Sequence, residues 1–112
     1  VAIHNVASAE AVILAKRSGL DMEQFYEVIS SSPCSSKIFE LRAPLMISNT
    51  YEPATMKLAV WQKDMKLIRE FADNAKSPIP LFTTTEPLYQ DAIDANLGQQ
   101  DTAAVCNILQ AK

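Results

Sequence analysis

The chain has 112 residues, a formal net charge of −3 at pH 7, 48% hydrophobic residues and 21% charged residues. This composition is typical of a globular protein and argues against a long disordered tail. The chain also lacks the excess of basic residues that is typical of nucleic-acid-binding proteins. No apolar run is long enough for a membrane span or a signal peptide, so we expect neither membrane nor nucleic-acid partners and, by default, a cytoplasmic protein.

The first half of the chain is predicted to be helical, because no alternation typical of a β-strand extends over five residues. A first helix runs from Ala2 to Ser18 and is ended by Gly19, which suits a left-handed cap. A second helix begins at Asp21, with Gln24 completing a capping box, and ends near Ser30. The first helix is apolar over more than one face, so we expect it to pack between partners, part of its surface meeting another domain or subunit.

The third helix is predicted to begin at Ser35 or Ser36 and to be ended or kinked by Pro44, before Met46. Residues 48–53 (SNTYEP) are predicted to form a loop. The helix is expected to direct three apolar side chains into the core, namely Ile38, Phe39 and Leu41.

The fourth helix is the longest, from about Met56 to Ala75. Asp64 lies near the middle of its apolar arc, and Glu10 lies likewise among apolar residues of the first helix. An ionised carboxylate in such a place must be paired or accept hydrogen bonds. The pattern leaves open whether these acids fix helix packing or mark a functional site. The apolar arc consists of Trp61, Met65, Leu67, Ile68, Phe71, Ala72 and Ala75.

Proline and aspartate define the last two predicted helices. Ser77–Pro80 contains two prolines and is expected to break the chain into separate helices. A fifth helix then runs from about Thr84 or Thr85 to Ala95, with Pro87 in its first turn. Asp101 caps a sixth helix that continues to the end of the chain. Six helices joined by short loops predict an all-α, six-helix bundle.

Residues able to carry chemistry are few. His4 is the only histidine, and we interpret it as an ordinary helix residue, which leaves no base for a serine triad and no metal site. Cys34 and Cys106 match no metal or redox spacing, and are most simply reduced thiols in the core. The residues by themselves therefore predict no catalytic constellation.

Three segments nevertheless match a known pattern when they are taken together. They are AEAVILAKRSGLD at residues 9–21, KDM at residues 63–65 and LGQQDTAAV at residues 97–105. In this order they resemble the carboxy-terminal helical domain of the β-hydroxyacid dehydrogenases, which include 3-hydroxyisobutyrate dehydrogenase and enzymes for tartronate semialdehyde and four-carbon sugar acids. The resemblance covers essentially the whole chain and implies the helical fold of the C-terminal domain of 6-phosphogluconate dehydrogenase-like proteins.

The resemblance implies a two-domain parent enzyme that transfers hydride between a small hydroxyacid and NAD or NADP. Residues 1–112 would be its single helical domain, and a Rossmann domain binding most of the cofactor would precede it. The catalytic lysine of such enzymes belongs to a K-x-x-N-N motif, which would lie before Val1. No catalytic residue is thus expected in this chain, which should be inactive alone, and the parent is expected to be a homodimer or higher homo-oligomer.

Lys63 is the candidate cofactor contact, because the lysine of the family's K-D-[LM] motif reaches the cofactor, whereas without the resemblance it would be a solvated lysine. Asp64, pointing inward, would then anchor the helix. Arg42 is either a carboxylate partner or an exposed helix arginine. Pro33 replaces a common glycine in the 33–36 loop, whose role stays undefined. The alternative from another class is a stand-alone helical module for dimerisation or partner binding.

Overall fold

A computed structural model describes all residues, 1–112, and every regular element in it is helical. The predicted all-α class with six α-helices is confirmed. None of the helices combines the length and apolarity that crossing a membrane requires. The elements are α1 (Ala2–Arg17), α2 (Met22–Ser30), α3 (Lys37–Ser48), α4 (Leu58–Ala75), α5 (Pro80–Asp94), a 3-10 helix (Thr102–Ala104) and α6 (Val105–Gln110).

Helix α1 is the centre of the bundle. It packs against α3, α5 and α6, and α2 covers part of it. Its unusually wide apolar surface is therefore enclosed largely by helices of the same chain. One narrow strip stays exposed, where Ile3 and Leu14 flank Glu10. The buried apolar residues of α1 are Ala2, Val6, Ala9, Val12, Ile13 and Ala15.

Side-chain caps and left-handed residues set several helix ends where the sequence predicts them. The Asp21 carboxylate accepts a hydrogen bond from the Gln24 amide at 2.9 Å, and the Ser36 hydroxyl accepts one from the Phe39 amide at 3.0 Å. Gly19 follows α1 with a φ of 77°, a backbone conformation that glycine adopts without a steric penalty. These ends could be predicted because the residues that produce them are close in sequence.

Pro44 was predicted to end or kink helix α3, and the first of these outcomes does not occur, because the helix continues to Ser48. Proline has no N–H to donate to the carbonyl of Glu40, four residues earlier. The Tyr26 hydroxyl of α2 donates to that carbonyl instead, at 2.8 Å. The Glu40 carbonyl therefore has a hydrogen-bond donor although Pro44 supplies none. The prediction for Leu41 is also wrong: its side chain is 55% exposed, and Ala43 is buried instead.

Helix α5 begins at Pro80, four residues or more before the predicted start. Pro80 occupies the first turn, where a backbone N–H has no acceptor within the helix. The helix therefore loses no hydrogen bond through the proline. Pro87 lies in the helix interior rather than in its first turn. The carbonyl that Pro87 cannot reach belongs to Thr83, an exposed residue, so solvent can satisfy it.

The two cysteines are unpaired but differ in their surroundings. Cys106 is buried in α6, as expected, whereas Cys34 is exposed in the loop between α2 and α3, where the prediction of a core thiol is wrong. Burial raises the pKa of the Cys106 thiol. Burial also raises the pKa of Tyr51, whose hydroxyl lies beside that thiol. Both groups therefore favour their protonated, neutral forms. Cys106 is for this reason unsuited to act as a thiolate nucleophile.

Candidate cofactor-contact site

The buried carboxylate of Asp101 holds the segment that leads into α4. Asp101 is only 1% exposed, and its Oδ1 atom is 3.3 Å from the Nε atom of Arg42. Its Oδ2 atom accepts from the backbone amides of Thr55 at 3.0 Å and Met56 at 3.3 Å. The amide of Ala103 donates to Oδ1 at 2.9 Å, which is the predicted helix cap. One carboxylate thus joins α3, the loop before α4 and the 3-10 helix.

The segment around Gly98 also fixes the first turn of α4. The amide of Leu58 donates to the carbonyl of Gln100, and the amide of Ala59 donates to the carbonyl of Gly98, each at 2.9 Å. A Cβ atom added at Gly98 would be 3.4 Å from the Cβ atom of Ala59, an ordinary van der Waals contact, so the two segments lie close together. These carbonyls satisfy donors that a helix start leaves unpaired. The terminal segment therefore positions the helix that carries the KDM motif.

Arg42 is not the exposed helix arginine that the sequence suggested. It is 8% exposed, and its carboxylate partner is Asp101 of the same chain. A signal for this was present, because Arg42 follows Phe39 by three residues and precedes Met46 by four, and both are buried. Residues at these spacings share one face of a helix. The partner itself, 59 positions away, could not be predicted from a local pattern.

Helix α4 buries only part of its predicted apolar arc. Within the chain it packs mainly against α5 and the 3-10 helix, so one side remains uncovered. The exposed fractions are 51% for Val60, 56% for Leu67, 40% for Ile68 and 79% for Phe71. We call this side the α4 outer face, and it consists of Val60, Asp64, Leu67, Ile68, Phe71 and Ala75. The residues of α4 that enter the core are Leu58, Trp61, Met65 and Ala72.

Asp64 lies within the α4 outer face and not among core residues. Its side chain is half-buried, accepts no hydrogen bond and forms no ion pair. Glu10 is exposed and is likewise without a hydrogen bond or ion pair. The interpretation that these acids fix helix packing through hydrogen bonds is therefore wrong for both. An apolar arc on a helix predicts a surface that packs against other protein. It does not show whether that protein is the core of the same chain or a different partner.

Lys63 lies beside the α4 outer face, three residues after Val60 and four before Leu67. Its side chain is exposed and forms no ion pair within the chain. Residues at these spacings are neighbours on a helix surface, so the Lys63 side chain starts beside apolar residues. Lys66 is also exposed but lies on another side of the helix, about 60° from Lys63 around its axis.

The loop at residues 33–36 lies elsewhere, against the first half of α1. It lines a cleft of about 350 Å³ together with His4 and Ser8. No group of three or more histidine, cysteine or acidic side chains is placed to hold a metal ion. The structure thus does not bring His4 or Cys34 to the part of α4 that carries Lys63.

Comparison with known proteins gives consistent matches over nearly the whole chain. Residues 1–109 match the family described as "NAD-binding of NADP-dependent 3-hydroxyisobutyrate dehydrogenase". The chain is 32% identical over 106 residues to an L-threonate dehydrogenase of Cupriavidus necator. It is 31% identical over 103 residues to the chloroplastic glyoxylate/succinic semialdehyde reductase 2 of Arabidopsis thaliana.

A solved structure shows the same fold. The 3-hydroxyisobutyrate dehydrogenase of Salmonella typhimurium matches with a TM-score of 0.87 at 29% identity, over 96% of this chain and 37% of that one. The two sequence matches cover 95% and 92% of this chain, but only 35% and 28% of the relatives. The chain therefore spans about a third of the length of the proteins that it resembles.

Proposed function

Because this chain belongs to the β-hydroxyacid dehydrogenase family, we propose that it is the carboxy-terminal helical domain of an NAD(P)-dependent hydroxyacid dehydrogenase. Residues 1–112 form this domain, and a Rossmann domain precedes it in the parent enzyme. The substrate is a small β-hydroxyacid of the 3-hydroxyisobutyrate or sugar-acid type. The similarity to an L-threonate dehydrogenase supports a sugar acid.

The observation that carries this proposal is the unpaired Lys63 on a helix whose start is fixed by Asp101 and Gly98. A nicotinamide cofactor combines flat rings with anionic phosphates. A lysine side chain that starts beside Val60 and Leu67 suits both parts of such a ligand, so the residues present fit the cofactor. The terminal segment is hydrogen-bonded to the start of α4, the helix that carries the KDM motif, so two of the three segments that resemble the family are connected through this helix, which supports the proposal.

The proposed reaction divides its work between the two domains. A bound nicotinamide would supply the hydride acceptor for the carbon that bears the substrate hydroxyl, and Lys63 is the residue of this chain that would contact it. The hydroxyl proton passes to a lysine of the K-x-x-N-N motif before Val1, acting as general base. This chain contributes packing, closure of the cleft, part of a dimer contact and the Lys63 contact. It is therefore inactive on its own.

The gene upstream of Val1 provides the test. We expect a glycine-rich strand–helix turn followed, shortly before Val1, by K-x-x-N-N, and oxidation of small hydroxyacids with NAD or NADP by the encoded protein. A start codon directly before Val1, with no such sequence upstream, would contradict the proposal that this chain is part of a dehydrogenase. The exposed α4 outer face would then favour the alternative, a helical module that binds a partner.

A further inference from the structure

We propose that Arg42 binds the hydroxyl groups that a substrate carries beyond its reacting carbon, and that the substrate is therefore a sugar acid. This inference deepens the proposed function and rests on it. It gives Arg42 a role in substrate specificity, in addition to its ion pair with Asp101.

The first argument is that the guanidinium group of Arg42 is buried but only partly hydrogen-bonded. Arg42 is 8% exposed, and of its side-chain nitrogen atoms only Nε makes a hydrogen bond within the chain, to Oδ1 of Asp101 at 3.3 Å. The two Nη atoms are not among the fully buried polar atoms that lack a partner, so they reach the surface. A guanidinium presents its N–H donors in a fixed fork, and those on the Nη atoms remain available to a group outside the chain.

The second argument is where this guanidinium lies. Its partner Asp101 adjoins Thr102, whose hydroxyl accepts a hydrogen bond from the Asn5 side chain at 2.9 Å. The backbone amide of Asn5 donates to the carbonyl of Val1, also at 2.9 Å, in the first turn of α1. Burial, and after it the charge of Arg42, lowers the pKa of the Val1 amino group. The guanidinium therefore lies near the end of α1 that begins at Val1.

The third argument connects this place with the proposed reaction. The general base is expected in the K-x-x-N-N motif, on the helix that leads into Val1, so the reacting hydroxyl is expected beyond this end of α1. The Oδ2 atom of Asp101 holds the backbone that leads into α4, the helix that carries Lys63. Arg42 therefore lies between the two elements that are expected to supply the general base and the cofactor contact.

The fourth argument is charge, which selects the kind of group that Arg42 binds. Asp101 already compensates the positive charge of Arg42, so the pair as a whole is neutral. A second carboxylate at the Nη atoms would lie close to the Asp101 carboxylate in a largely buried place, where like charges repel strongly. Hydroxyl oxygens accept hydrogen bonds without bringing a charge. The pair therefore suits a four-carbon sugar acid better than 3-hydroxyisobutyrate, which has no hydroxyl group besides the reacting one.

The test compares the oxidation of L-threonate and of 3-hydroxyisobutyrate by the full-length parent protein and by its Arg42→Lys variant. Lysine keeps a positive charge beside Asp101, but its single ammonium group cannot serve both partners in the geometry of the fork. We expect kcat/KM for L-threonate to fall by about tenfold or more, through a higher KM, which is the size of one lost charged hydrogen bond. For 3-hydroxyisobutyrate, kcat/KM should change by less than about twofold.

Arg17→Lys is the matched control. Arg17 also donates to one oxygen of the chain, the Gln110 carbonyl at 3.0 Å, but it lies at the other end of α1, about 24 Å from Val1. This variant should change neither reaction.

Falls of equal size for both acids in Arg42→Lys would overturn the inference, because they would show a purely structural role for Arg42. Unchanged values for both acids would overturn it as well. A wild-type enzyme that prefers 3-hydroxyisobutyrate to L-threonate would do the same, whether or not the variant folds. These three results leave the proposed dehydrogenase function intact. An enzyme that oxidises neither acid would instead contradict the proposed function itself, and this inference with it.

Discussion

Asp101 is the residue on which the start of α4 depends, since its carboxylate meets one guanidinium and three backbone amides. We expect Asp101→Asn to lower the free energy of unfolding by about 3 kcal/mol. The change leaves Arg42 buried without a counter-charge, and it can turn an NH₂ group toward backbone donors. Urea denaturation of both proteins measures the difference.

The control for this substitution is Asp73→Asn. Asp73 also pairs with an arginine, Arg69, at 3.4 Å, but its side chain is 65% exposed. Removal of a surface ion pair should cost less than about 1 kcal/mol. Equal losses in the two variants would show that burial of the Asp101 pair is not what makes it matter.

Tyr51 should make the free energy of unfolding fall at alkaline pH. Burial raises the pKa of its hydroxyl above the ordinary value of about 10, so the folded state holds the proton more tightly than the unfolded state. The resulting stabilisation is complete below about pH 10 and is lost as the pH rises toward the higher folded pKa. Tyr51→Phe should therefore flatten the alkaline decline in the free energy of unfolding.

At neutral pH the same substitution should cost less than about 1 kcal/mol, because the buried Tyr51 hydroxyl has no polar contact beyond the Cys106 thiol, a weak hydrogen-bond partner. Denaturation curves recorded between about pH 7 and pH 11 separate the two effects. An alkaline decline as steep in Tyr51→Phe as in the wild type would assign it to other groups, among them Cys106 and Tyr89, whose pKa values burial also raises.

Among single residues, the sequence predicted well where both partners are local. The cap at Asp101 follows from the residues just after it, whereas its bond to Arg42 depends on how α3 and the 3-10 helix meet. Asp64 shows the opposite failure. Its position in an apolar arc predicts a core residue, but the spacing of apolar residues along a helix does not show which part of the arc the same chain covers.

Pro44 shows how a helix can continue through a residue that should end it. The Tyr26 hydroxyl donates at 2.8 Å to the Glu40 carbonyl that the missing amide cannot reach. We expect Tyr26→Phe to cost about 1 kcal/mol, and to cost less in a Pro44→Ala background, where the new amide at position 44 can donate to Glu40. A double-mutant cycle by urea denaturation measures this coupling. Additive effects of the two substitutions would mean that the hydroxyl does not replace the amide.

Helix boundaries followed the sequence where caps act within a few residues, as at Gly19, Asp21 and Ser36. The observed boundaries differ from the predicted ones near Pro44 and Pro87. Pro44 and Pro87 are tolerated because a distant hydroxyl or solvent serves the carbonyls that they leave. Local propensity assigns these prolines a cost but has no information about such compensating groups.

At the scale of the whole molecule, the chain is a helical bundle with one core, and α1 lies at its centre. The all-α class was predictable from the near absence of glycine and of strand patterns. The placement of the site was not, because it depends on contacts between segments about 40 residues apart, such as Ala59 with Gly98. The apolar surface left on α4 is of the kind that other protein usually covers.

The most direct test of the account is cofactor affinity in the full-length parent protein, comparing Lys63→Ala with Lys66→Ala. Both residues are exposed lysines of the same helix, so the two variants lose the same charge and should keep the fold. We expect Lys63→Ala to raise the dissociation constant for NAD or NADP by about tenfold or more, the size of one lost charged contact, and Lys66→Ala to leave it unchanged. Equal affinities in both variants would contradict the assignment of Lys63 as the cofactor contact.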